Sequence, residues 1–168
     1  MWQNAPPQGN RYGPVVALPL WERMNTLAAG HIYVIDEQFD RALNLVRQEL
    51  VDRELSVTGE FDVTESLSGD SRRKADRTRM LLVDCPLLLL EALALDRAAG
   101  VLIPLHVLVS SDGDRTQVVF IEASALFDRR VPVGASGPLE KLKTRISMAL
   151  EAAVMRAEIE HRYSGGVS

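Results

Sequence analysis

The sequence predicts an α+β domain, a curved antiparallel sheet packed on a long C-terminal helix, with elements in the order β-α-β-β-α-β-β-α. Three observations predict it. Short runs of β-branched and apolar residues alternate in and out with a period of two. Two longer stretches carry apolar residues at helical spacing. Strands and helices do not alternate regularly, which disfavours a doubly wound parallel sheet. The chain has 168 residues, ordinary apolar and charged fractions and a net charge of −4, within the range of one domain with its own core.

Residues 1–30 read as an N-terminal arm. Pro6, Pro7, Gly9, Gly13, Pro14 and Pro19 interrupt regular structure. Trp21, Met24 and Leu27 are nevertheless spaced along one helical face. His31 to Ile35 predicts the first strand. Asp36 follows as the cap of a helix over Gln38–Glu54. Phe39, Ala42, Leu43, Val46 and Leu50 form its inner stripe, with Arg41, Arg47, Gln48 and Asp52 outside. Leu55 to Val63 then alternates. Leu55, Val57, Phe61 and Val63 are expected on one face, with Gly59 as a bulge. Ser66–Ala75 is a polar, basic loop. Arg79–Cys85 predicts a strand and Leu87–Asp96 a short helix, with Pro86 where a missing amide matters little.

Val101–Ser110 and Arg115–Ala123 carry the strongest local signal. Asp112-Gly113 suits a two-residue hairpin turn, which would set Val107 opposite Val118. One face then holds Ile103, Leu105, Val107, Val109, Val118 and Phe120. The other holds Leu102, His106, Leu108, Val119 and Ile121. Both faces are apolar, and one helical layer covers only one of them, so the second is expected to meet the arm or another subunit. After a loop containing Arg129 and Arg130, Ser136 and Pro138 open the last helix. Its stripe is Leu139, Leu142, Ile146, Ala149, Leu150 and Ala153, and it is expected to end near Ile159, leaving residues 161–168 as a frayed tail. The domain itself is expected over 31–160.

From Asp84 to Val109 the chain resembles the domain of unknown function 302 family. The resemblance is carried by Cys85-Pro86, Ala92, Leu95-Asp96, Gly100, Leu102, Pro104, Val107 and Val109, with the flanking elements in matching order from His31 to Ala157. It implies a fold similar to the TATA-binding-protein-like α+β arrangement, is compatible with homodimers, and implies no established reaction. Many relatives place a second cysteine after the strand proline, where this chain has Leu105.

Candidate site residues each carry two readings. Cys85, the single cysteine, stands before a helix start, where amide dipoles favour a thiolate; it is a nucleophile, redox sensor or metal ligand, or else a small buried core residue. His106 is a base or ligand needing a partner, or a satisfied histidine at an interface. Glu122 on the next strand faces the opposite side. Arg72, Arg73, Lys74, Arg77 and Arg79 form an anion site or a solvated loop. Leu105, Val107 and Phe120, opposite Leu142, Ile146 and Ala149, would line a sheet–helix cavity for a small apolar ligand.

The exclusions are broader. The acidic balance and the lack of aromatics among the basic residues argue against nucleic acid. No apolar run is long enough to span a membrane. One cysteine excludes an internal disulfide and any multi-cysteine metal site, and fits a reducing cytoplasm. Phosphate-binding glycine loops, the dinucleotide fingerprint, the Gly-x-Ser-x-Gly elbow and the His-Glu-x-x-His motif are missing, so no metal, no cofactor and no catalytic set are expected. The leading expectation is a homodimeric interaction module. A small-ligand-binding domain and a thiol-dependent enzyme or redox sensor follow.

Overall fold

A computed structural model describes residues 30–66, 69, 75–121 and 136–164. Five strands form one sheet in the order β1-β5-β4-β3-β2, with every neighbouring pair antiparallel. They are β1 (Gly30–Ile35), β2 (Ser56–Asp62), β3 (Thr78–Asp84), β4 (Leu105–Asp112) and β5 (Arg115–Ile121). The helices are α1 (Phe39–Asp52), α2 (Pro86–Leu95) and α3 (Ser136–Ser164), with 3₁₀ turns at Thr64–Ser66 and Arg97–Leu102. The predicted order of elements is the observed one.

One core joins the sheet to the helices. Ile35, Leu81, Val83, Leu105, Val107, Val109, Val118 and Phe120 meet Phe39, Ala42, Val46 and Leu50 of α1. They also meet Leu142, Ile146, Ala149, Leu150 and Ala153 of α3. The expected stripes of both long helices are therefore the buried ones. α3 continues to Ser164, so residues 161–164 are helical rather than part of a tail. Ion pairs bind α1 to α3: Arg41 donates to Glu160 (2.7 Å) and Arg156 lies 3.3 Å from the buried Glu49. Such partners, far apart in sequence, extend helical order past the last core residue, Ala157.

Four local expectations change. The N-cap of α1 is Gln38, without a side-chain bond; Asp36 instead pairs with Arg115 at 3.2 Å. The bulge in β2 falls between Val57 and Gly59, and an extra residue there reverses the alternation. Phe61 thus joins the face opposite Val57, while Glu60 turns to the helix side, where Arg47 donates to it at 2.6 Å. β4 begins at Leu105 because Arg97–Leu102 forms a 3₁₀ turn and Pro104 has no amide for a ladder. In the hairpin, Asp112 pairs with Arg115 and Val107 with Phe120, so the turn is Gly113-Asp114. Gly113 has φ 62°, the positive φ that a type II′ turn needs at its first central residue. The two-residue shift preserves parity, so the expected in and out faces survive.

Candidate interaction surface

α2 begins where β3 ends. Cys85 is its N-cap, extended and without a side-chain capping bond to the helix, and Pro86 occupies the first turn. Leu89 N–H donates to the Cys85 carbonyl at 2.9 Å. After Leu95 the chain turns at once into the 3₁₀ segment, whose first amides are satisfied by Asp96: Ala98 N–H donates to its carboxylate at 2.8 Å. Gly100 packs beside Leu93, where a Cβ would stand 2.7 Å from Cδ2, the movable end of that side chain. Leu88, Ala92, Ala99 and Ile103 anchor the unit in the core.

The rest of this unit faces outward and is apolar. Leu87, Leu90, Leu95 and Val101 are each more than half exposed, Val101 at 86%, with Leu93 between them at 37%. A helix apolar on every side is normally enclosed by protein; here one side is not. Glu91 carries charge within the helix, and Lys141 of α3 donates to it at 2.7 and 3.1 Å. These outward leucines were not singled out from the sequence. The available signal was the lack of any polar stripe in Pro86–Leu95.

The sequence-derived candidates are dispersed. Cys85 is 3% exposed, and Arg145 Nη1 lies 3.8 Å from its Sγ and 3.4 Å from Glu54 Oε2. Its neighbour Asp84 is buried with Oδ1 unpartnered, and burial pushes that carboxyl above the ordinary value. His106 is exposed on the face away from the helices, opposite Leu82; Glu122 lies outside the described residues. Arg72, Arg73, Lys74, Arg129 and Arg130 also lie outside them. Arg77 donates to both oxygens of Asp40 (2.9 and 2.7 Å) and stacks 4.5 Å over the Phe39 ring; this guanidinium holds the Asp40 carboxyl below its ordinary value. Arg79 pairs with Asp62 at 3.1 Å. Both described cations are thus engaged within the fold. Leu105, Val107, Phe120, Leu142, Ile146 and Ala149 do come together, all within the buried core.

A groove of about 420 Å³ runs between α1 and α3, lined by Asp40, Arg41, Asn44, Leu45, Gln48 and Arg156. Its polar groups are engaged as well: Asn44 accepts from Arg47, Gln48 donates to Asp52, and the charged groups belong to the pairs above. Among the described residues no group of three or more His, Cys, Asp or Glu is placed to hold a metal, and no helix is long and apolar enough to cross a membrane.

The family model described as "Domain of unknown function DUF302" matches residues 32–153. The chain belongs to the DUF302 family. A crystal structure of an uncharacterized conserved DUF302 protein from Bacillus stearothermophilus has the same fold, with a TM-score of 0.57 at 16% identity. The likeness covers 76% of this chain and 97% of that one. No curated protein matches the sequence. The DUF302 match begins within β1 and ends within α3, so it spans the sheet and the α2 surface and stops short of the last turns of α3.

Proposed function

We propose that this DUF302 protein is a homo-oligomeric interaction module that pairs with a second copy through the outward side of α2 and the following 3₁₀ turn. The single observation behind this reading is the cluster of Leu87, Leu90, Leu93, Leu95 and Val101 in water. A second copy suits the surface. It is apolar apart from the exposed Arg97 of the 3₁₀ turn, and its charged pair, Glu91 with Lys141, is internally neutralised. A two-fold contact that leaves Arg97 at its solvated rim therefore buries no unmatched charge. Covering about half of each of these side chains on two copies supplies on the order of 10 kcal/mol. That is comparable to the ~4–15 kcal/mol cost of association. The single cysteine fits assembly without disulfides in a reducing cytoplasm.

Sedimentation of the full chain tests this. The wild type is expected to be a dimer and the Leu87→Glu/Leu90→Glu variant a folded monomer. A wild type that stays monomeric at high concentration, or a variant that still dimerises, rejects the assignment. Binding of the wild type to lipid vesicles through these leucines would also count against it. A second reading, a thiol-dependent role for Cys85, is supported by the Arg145 guanidinium beside its Sγ.

A further inference from the structure

α3 carries two apolar stripes. One faces the core. The other faces water: Met148, Met155, Ile159 and Tyr163 are each more than half exposed. With the half-buried Ala152 they follow one another at steps of four, three, four and four residues, the seam of a helix that packs along another helix. From Met148 to Tyr163 this line runs about 22 Å. Two of its members are methionines, whose flexible side chains adapt to a second surface.

The charges beside the middle turns of this stripe differ in sign between its two flanks. Glu151 and Glu158, one residue before Ala152 and Ile159, lie exposed along one flank. Arg145 and Arg156 lie along the other. Arg156 engages Glu49 through Nη1 at 3.3 Å and Glu160 through Nε at 3.4 Å, which leaves Nη2 for a further acceptor. In the last turn Arg162 lies 3.9 Å from Glu158. One heptad before Met148, on the same line, Lys141 donates to Glu91 of α2. The stripe thus leads to the edge of the α2 surface. That surface alone is small: a ten-residue helix presents a strip about 15 Å long and about 10 Å wide. Stable complexes bury roughly 800 Å² per partner. The α3 stripe supplies further apolar area beside it.

We propose that the two-fold axis of the dimer runs along this stripe, so that α3 packs in parallel against α3 of a second copy. This rests on the α2 reading of the dimer and extends it. A parallel pair sets Glu151 of each copy beside Arg156 of the other, five residues on, the kind of flanking ion pair that fixes helix orientation. It also keeps both α2 segments at the same end of the contact. An antiparallel pair sets Glu151 against Glu158 and carries the α2 segments to opposite ends.

Single introduced cysteines decide this, because the chain's own Cys85 is buried and the wild type serves as the blank. In a parallel pair each position of the stripe faces its own copy. Full-length Met148→Cys and Ile159→Cys are therefore each expected to cross-link to themselves on mild oxidation, the two thiols joining as a disulfide. Glu151→Lys should weaken the dimer several-fold in sedimentation. All three positions are exposed, so the variants keep the fold. Cross-links that form only when the Met148→Cys and Ile159→Cys proteins are mixed would overturn the proposal in favour of an antiparallel pair. A protein that sediments as a dimer yet cross-links at neither position would overturn it and leave the α2 reading standing. A monomeric wild type would reject both.

Discussion

Leu142→Ala tests the packing on which the fold rests. Leu142 is fully buried on α3, in the cluster shared with Val107, Phe120 and Ile146. Truncation removes about 2 kcal/mol of transfer free energy and leaves a void that the α3–sheet interface closes only in part. Together these place the loss at about 3 kcal/mol, within the usual ~2–5 for buried leucines. For a chain of this size that lowers Tm by roughly 6–12 °C. The control is Leu90→Ala, at a 63% exposed position, which should change the stability of the monomer by no more than about 0.5 kcal/mol. Urea unfolding at low protein concentration, where assembly does not contribute, measures both. A Leu142→Ala loss below about 1 kcal/mol would refute the packing, and would instead fit open space between sheet and helix of the kind an apolar ligand needs. Equal losses at both positions would refute the division between core and interaction surface.

Two further outcomes follow from the β3–α2 junction. Burial raises the Asp84 carboxyl above its ordinary value of 3.8. Its favourable contribution is therefore complete below the unfolded value and is lost as pH rises through the folded one. Asp84→Asn should stabilise the protein by on the order of 1 kcal/mol near neutral pH, with the gain vanishing in acid; an unchanged or lowered Tm at pH 7 would contradict this. Cys85, 3% exposed, should be alkylated on the order of 10²-fold more slowly in the native than in the denatured protein, because reaction requires local opening. Native labelling at the denatured rate would favour the thiol reading instead.

Much of the fold was legible locally. The stripes from Phe39 to Leu50 and from Leu139 to Ala153 repeat with the helical period, and an amphipathic helix has only one side to bury. The alternation through Leu105–Val109 and Val118–Phe120 separated the two sheet faces even though the turn lies one residue later than expected, since a two-residue shift leaves parity intact. The site was less legible. Phe61 changed face because one unpaired residue in β2 reverses everything beyond it, and period-two counting does not register a bulge. The outward leucines of α2 share their residue type with its buried ones, so composition could not tell Leu88 from Leu90.

The sequence by itself determined which segments are helices and strands, their order, and which side of each long helix is apolar, because these depend on neighbours a few residues away. Only the tertiary structure decided that β1 flanks β5, that Arg77 stands on Phe39 and pairs with Asp40, that Asp84 is enclosed, and that the α2 leucines face water. Exposure is set by which elements end up beyond a side chain, and those elements are brought there by burial of the whole core rather than by any local pattern.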